Sequence, residues 1–349
     1  NKMLVGTPQD TNGVLLYPDG QPRFRMLYVN GGGATSHGKS LTLKGRDLLR
    51  QFHANGGSYC GSCAGSFLSG RNVDKRAEPR LGYLHIFPYN TLNTGLKKAR
   101  LTHVIPEDSP LLHFRKFGAD RQIEAVYHNN GNWLSASTGE HLKETEILAT
   151  YHHPDHKIDG GAAIWAYRKG SSQGRVVNIG SHPEGVRVGE QLALTQACFL
   201  YALEGTGTPP VKGTLVSDSP RRMDRHTADG EPELTRIGDR QYHHFRFEVA
   251  ADTPHVTIDI EGDADVDLHL YLQRDSVALA GQAVHQNVTP GAAKRLEVTL
   301  PPGTWYVGVH CATTVDSIND PQSGFYRYYA RRDLLNGVAY TIRLLQTTR

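Results

Sequence analysis

GSYCGSCAGSFLSG, residues 57–70, sets two cysteines three positions apart, between a short β-favouring run and a helix-favouring one. Read as strand, turn and helix, Gly61-Ser62-Cys63-Ala64-Gly65 has the G-x-C-x-G form of a nucleophile elbow. Such a turn is strained, so small residues flank the nucleophile two positions away on each side. The side chain then projects from the carboxyl edge of the sheet, and the next backbone N–H is free to hold an oxyanion. The start of a helix also favours thiolate over thiol. On this reading Cys63 is the nucleophile and Cys60 lies in the strand leading to it. The other readings of the pair are a C-x-x-C redox couple or half a zinc site. The chain has four cysteines but no second C-x-x-C, and no thioredoxin context. Cys198 and Cys311 read as buried or unpaired thiols, with a Cys60–Cys198 bridge as the alternative in a secreted protein.

Outward from the elbow, strand-like runs alternate with helical patterns as far as about residue 205. RFRMLYV (23–29) reads as a buried strand ending at Gly31-Gly32-Gly33. LTLKGRDLLRQFHANGG follows as a helix with Leu48, Leu49 and Phe52 on one face. AAIWAY (162–167) and RVVNIG (175–180) read as paired strands joined by the polar loop RKGSSQG, and a last helix spans about 187–204 with Leu192, Phe199 and Leu203 along one side. Residues 1–22 read mostly as turns. The alternation predicts an α/β fold, a flavodoxin-like three-layer sandwich with a mostly parallel sheet.

A thiol nucleophile needs a base. VVNIGSHPEG (176–185) ends a strand and puts His182 and Glu184 just beyond it, where a second carboxyl edge is expected. Cys63, His182 and Glu184 would then form a triad: attack, proton transfer and orientation of the imidazole.

The elbow, followed much later by a strand and H-P-E, resembles the class I glutamine amidotransferase-like superfamily. YCGSCAGSFLSG is especially similar to the branch related to the N-terminal domain of some biotin-protein ligases. The resemblance covers about residues 20–205. It implies a Cys–His–Glu triad and an oxyanion loop at VNGGGA, so Gly32 and Gly33 join Ala64 as candidate amide donors. Family members carry a further strand–helix–strand stretch before that loop. Only about 30 residues precede Gly31 here, so part of the sheet is expected to be absent, rearranged or removed by processing.

After EGTGTPPVKG (204–213) the period becomes two. Phe245/Phe247/Val249, Val256/Ile258/Ile260, Val266/Leu268/Leu270/Leu272, Leu296/Val298/Leu300, Trp305/Val307/Val309 and Tyr340/Ile342/Leu344 alternate with polar residues. These runs, separated by Gly, Pro, Asp and Asn, predict an all-β sandwich. DADVDLHLYL, LPPGTWYVGVH and YTIRL resemble the bacterial pre-peptidase C-terminal domain, which is attached to secreted hydrolases, many of them proteases. The expected boundary gives residues 1–206 to the catalytic domain and 207–349 to the β domain.

Other clusters have alternative readings. His152, His153, Asp155, His156 and Asp159 fall within one short stretch. They read as a polar loop on the active-site rim or as a transition-metal site, and the latter would serve a metal-dependent hydrolase. His37 and His153 are candidates to face substrate. Asp263, Asp265 and Asp267 alternate at a strand start, as a solvated face or a structural calcium site. No other cofactor is expected.

The 349 residues exceed one ordinary core. The net charge of +3 is spread without a Lys/Arg block, which excludes a nucleic-acid partner. No apolar run approaches the ~20 residues of a membrane span, which excludes a membrane partner of that kind. The chain starts at Asn1 without a signal-like stretch, as a processed precursor or a trimmed chain would. The expectation is a bacterial protein, secreted, periplasmic or extracellular, that hydrolyses a peptide or small amide through a cysteine thioester. The rival from another class is a binding or adhesion protein that kept the fold and lost catalysis.

Overall fold

Short apolar runs closed by glycine or asparagine dictate short strands, and the sheet they form is what brings distant motifs together. The computed structural model describes residues 13–135, 142–225, 235–263, 265–322 and 326–348. The chain divides into two units, one of residues 24–208 and the other of residues 13–23 with those after 208.

In the first unit β1 (Met26–Val29) leads into helix α1 (Ala34–Ala54), and β2 (Ser58–Ser62) into the short helix α2 (Ala64–Ser69). Leu49 and Phe52 bury the face expected of α1, but the helix begins earlier than its apolar pattern and breaks at Thr42 (φ 62°). Next come β3 (Leu92–Asn93), β4 (Ala99–Val104), β5 (Gln122–His128), β6 (Asn132–Trp133), β7 (Thr145–His152), β8 (Ala162–Tyr167) and β9 (Val176–Ile179). Helix α3 (Glu190–Glu204) closes the unit. The main sheet has the order β1-β2-β9-β8-β7-β4-β5, and β3 pairs with β6. Trp165, Tyr59 and Tyr151 are its largest fully buried side chains together with Phe52.

The mostly parallel, flavodoxin-like sheet expected from the alternation is not what forms. Only β1–β2 and β2–β9 are parallel, and the four remaining junctions are antiparallel. The physical reason lies in the connections. A parallel return needs a crossover of a dozen residues or more, whereas the loop of residues 168–174 can only turn β8 back alongside β9. The parallel part is the part that matters for the site. Ser62 pairs with Ile179, so β2 and β9 end at one level and the residues beyond both emerge at one sheet edge.

The second unit holds β10 (Val211–Thr214), β11 (Arg221–Met223), β12 (Tyr242–Val249), β13 (His255–Gly262), β14 (Leu268–Arg274), β15 (His285–Asn287), β16 (Lys294–Thr299), β17 (Gly303–Cys311), β18 (Asp316–Asn319), β19 (Tyr326–Ala330) and β20 (Tyr340–Thr347). A five-stranded sheet, β10-β12-β17-β14-β15, and a four-stranded one, β11-β20-β13-β16, enclose the core, while β18 pairs with β19. The alternating residues read from the sequence are that core, except that Leu296 and Val298 pack half-buried against it. Phe245, Phe247, Ile258, Leu270, Val307 and Ile342 are fully buried.

Residues 13–23 belong to this second unit, not to the first as the 206/207 boundary had assigned them; residues 1–12 lie outside the described ones. Buried charge accounts for it. Arg23 meets Asp239 at 2.5 Å with both side chains almost fully buried, and the Arg23 guanidinium lies 4.7 Å from the Tyr17 ring centre. Asp19 accepts from Gln241 Nε2 at 2.7 Å and from Lys212, beside His243. Burial pushes the Asp19 carboxyl up, but His243 and Lys212 outweigh it and hold the carboxyl down at about 2. Removing one partner of a buried ion pair strands the other. Arg23→Ala is therefore expected to destabilise the full chain by about 3–5 kcal/mol in urea unfolding, and adding Asp239→Ala to recover much of the loss. An unchanged midpoint for Arg23→Ala would contradict this packing.

Candidate active site

The elbow is built as its residue types require. Cys63 sits at φ 46°, ψ −102°, between the end of β2 and the first turn of α2. A positive φ is costly for a residue with a Cβ and must be imposed by its surroundings. The Cys63 N–H donates to Ile179 O (2.8 Å), Phe67 N–H donates to Cys63 O (3.0 Å), and the Tyr59 hydroxyl donates to Gly65 O (2.7 Å). Glycine is needed on both sides for want of space. A Cβ on Gly61 would lie 2.5 Å from Gly65 C, and one on Gly65 would lie 2.0 Å from Val29 O.

His182 arrives from β9 at the same edge. Its N–H donates to Tyr127 O (2.8 Å), and its Nδ1 lies 3.0 Å from Glu184 Oε1. The ring is close enough to the Cys63 side chain for that thiol to be the main influence on its titration. Gly31 lets it in, because a Cβ there would come within 2.2 Å of His182 Cε1. The neighbouring Cys63 and then the hydrogen-bonded Glu184 raise the imidazole to about 10 against the opposing effect of burial. Burial alone would push the Glu184 carboxyl up, but hydrogen bonds from His182 and Ser62 leave it below its ordinary value. The structure thus gathers Cys63 and the hydrogen-bonded pair His182–Glu184 at one sheet edge, across 119 steps of sequence from Cys63 to His182.

Several supporting groups carried no sequence signal. Ser62 Oγ donates to Glu184 Oε1 at 2.7 Å and lies 2.9 Å from the Tyr28 hydroxyl. The Cys63 thiol donates to Asn129 O at 3.8 Å. The residue before His182 is tied down in turn: Ser181 Oγ lies 2.9 Å from His128 Nδ1, 3.0 Å from His103 Nε2 and 3.2 Å from the Tyr151 hydroxyl. Burial lowers His103 to about 3 and His128 to about 4, so both are neutral rings that hold the loop without adding charge. Only Ser62 could have been suspected, from its place inside the elbow.

A cleft of ≈ 470 Å³ opens beside Cys63, lined among others by Gly32, Gly33, Ala64, Arg76, Arg80 and Asn129. As the first residue of α2, Ala64 has an N–H with no acceptor within the helix. Gly32 has φ +139°, where glycine is favoured. His37 and His153 are not among the lining residues. His37 Nε2 sits 3.4 Å from Gly31 O, and His153 stacks on His156 at 5.2 Å between ring centres.

The metal readings find no support in the geometry. His152 lies 3.4 Å from Asp159, but among the described residues no three His, Cys, Asp or Glu converge to hold an ion. Asp263 Oδ1 accepts from Asp265 N at 3.3 Å as a local turn, while Asp267 faces Lys294 (3.7 Å) and His269 (3.2 Å) instead of its two neighbours. The Cys60–Cys198 bridge does not form, and all four cysteines are free.

The family model of the bacterial pre-peptidase C-terminal domain matches residues 241–310, which run from β12 almost to the end of β17. Three solved structures are similar to part of the chain. The pre-peptidase C-terminal domain of a Bacillus anthracis collagenase is 13% identical, and the match covers 40% of this chain and 99% of that one at a TM-score of 0.25. PliG of Aeromonas hydrophila, a periplasmic inhibitor of g-type lysozyme, is 10% identical over 39% of this chain and 97% of its own, at 0.21. The copper-binding secreted protein MopE of Methylococcus capsulatus is 12% identical over 40% and 88%, at 0.23. No curated protein matches the chain.

Proposed function

We propose that the chain is a secreted cysteine hydrolase that cleaves an amide or peptide bond. The first unit would be a member of the class I glutamine amidotransferase-like superfamily, its triad end retained on a sheet that is antiparallel elsewhere. The observation that carries this reading is that Cys63 and the His182–Glu184 pair emerge at the common edge of the parallel strands β2 and β9. Cys63 gives its proton to His182 and attacks the substrate carbonyl, and the tetrahedral oxyanion is held by the N–H groups of Ala64 and of Gly32 or Gly33. His182 passes its proton to the leaving amine as the C–N bond breaks, leaving a thioester. Water then attacks that thioester, with His182 taking its proton, and releases the acid and the free thiol. Glu184 keeps the imidazole oriented and favours its charged form. Secretion draws support from the pre-peptidase C-terminal match in the second unit; among the described residues no helix is long and apolar enough to cross a membrane.

Thiol chemistry supplies the test. All four cysteines are buried, but Cys63 lines the cleft, whereas burial raises the other three thiols, Cys311 to about 12. Iodoacetamide at neutral pH is therefore expected to add one equivalent to the native chain, at Cys63, and to abolish hydrolysis of a panel of peptidyl and γ-glutamyl amides, with EDTA having no effect. His182→Ala should slow that alkylation about tenfold or more, and Glu184→Gln by less. Inhibition by EDTA with full activity after alkylation would favour metal-dependent hydrolysis and overturn the proposal.

A further inference from the structure

The cleft beside Cys63 carries a charge arrangement that the triad does not use. Two guanidiniums, Arg76 and Arg80, line it against one carboxylate, Asp74. Asp74 is engaged with the backbone, accepting from Asn93 N–H at 3.1 Å. Arg80 is fixed in place: its Nη2 donates to Thr35 Oγ1 at 2.9 Å, and its guanidinium lies 5.1 Å from the centre of the Tyr83 ring. Arg76 is exposed. Neither arginine is ion-paired with a carboxylate among the described residues, so the cleft holds two cationic forks against the single carboxylate of Asp74. A guanidinium pre-set by a hydroxyl and an aromatic ring keeps its remaining N–H donors in the planar geometry that matches a carboxylate.

We propose that Arg76 and Arg80 recognise a carboxylate on the substrate, so that the amides cleaved at Cys63 belong to acidic peptides or acidic small amides. The proposal rests on Cys63 being the nucleophile that this cleft serves. The carboxylate belongs either to an Asp or Glu side chain or to a free chain terminus; both present the same planar anion.

The test uses the full chain and two alkylating reagents of equal size and the same leaving group, one anionic and one neutral. The ratio of Cys63 alkylation rates, iodoacetate over iodoacetamide, isolates the charge of the cleft. Arg76→Gln is expected to lower that ratio about threefold, and Arg76→Gln with Arg80→Gln about tenfold at low salt. Lysine at both positions should restore most of it, and roughly 0.5 M salt should compress the wild-type ratio. A ratio in Arg76→Gln and in the double variant that stays within about twofold of wild type overturns the proposal. A second arm separates the sources. Protection of Cys63 from iodoacetamide is compared for a peptide with an internal Glu and an amidated end, one with a free carboxyl end and no acidic side chain, and a neutral amidated control. Protection by the first assigns the side chain and by the second the terminus, whereas no protection beyond the control counts against carboxylate recognition. Neither arm needs turnover. A chain that hydrolyses no amide yet shows the ratio change would sink the hydrolase reading and leave the cleft assignment standing.

Discussion

Replacing Cys63 with alanine is expected to lower hydrolysis of the best amide substrate by about 10⁴- to 10⁶-fold, because triad members act as one unit and what survives comes from the oxyanion donors and binding alone. The fold should persist. The sulfur contributes one weak bond to Asn129 O, while the backbone bonds that hold the turn, Cys63 N–H to Ile179 O and Phe67 N–H to Cys63 O, do not depend on the side chain. Cys60→Ala, by contrast, should keep its turnover, since Cys60 is fully buried in β2. The pair is measured as initial rates at matched concentration of native chain, with circular dichroism as the check on folding. Wild-type turnover in Cys63→Ala would end the thiol mechanism, and loss of activity in Cys60→Ala with a normal spectrum would mean that the wrong sulfur has been assigned.

The second large effect is on stability and needs no substrate. Gly65→Ala places a methyl group 2.0 Å from Val29 O and 3.1 Å from Val29 Cβ. Val29 cannot yield easily, because it ends β1 and pairs with Gly61 of β2, the residue that opens the elbow. Overpacking against backbone costs roughly 1–3 kcal/mol or more, a sizeable share of the 5–15 kcal/mol by which domains are stable. Urea unfolding should therefore shift strongly, or the variant should be recovered unfolded. Gly82→Ala is the matched control: nothing lies within 4 Å of a Cβ there, and its midpoint should move by no more than about 0.5 kcal/mol equivalent. Equal midpoints for the two variants would show that the turn is not built as described.

The two motifs around Cys63 and His182 were legible because elbow chemistry constrains residue type at fixed spacing: glycine where a Cβ collides, a nucleophile at the strained position, a histidine just past a strand. The β core was legible for the same kind of reason, since a half-buried strand writes its period directly into Phe245, Phe247 and Val249. Strand direction has no such imprint. AAIWAY reads alike whichever way its neighbour runs, so the antiparallel majority of the first sheet could not be seen in periodicity. Residues 13–23 hid for a different reason. Their hold on the second unit comes from Asp19 and Arg23, and charged residues in a turn-rich stretch read as solvated surface until their buried partners, Lys212 and Asp239, are known. Arg76 and Arg80 were silent as well, because a cleft made from separate loops gathers residues by tertiary placement alone.

The assignment of residues 13–23 to the second unit also sets an order of events. The chain leaves that unit at Arg23, makes all of residues 24–208, and re-enters at Pro209. During synthesis the early segment must wait for its partners. At ~5–20 residues per second the ribosome needs on the order of 10–40 s to deliver Lys212, Asp239 and His243 after Asp19 and Arg23 have emerged. Through that interval Leu15 and Leu16, which end up buried, have no core of their own to enter, and are open to a chaperone or to a neighbouring nascent chain. The first unit has no such wait, since all of its strands precede residue 180. The same threading changes what a protease can do. One cut between residues 204 and 213 would not free the second unit, because the chain still joins the two at residues 23–24, and the nicked protein would migrate as one species until denatured. Release takes two cuts, one at each crossing.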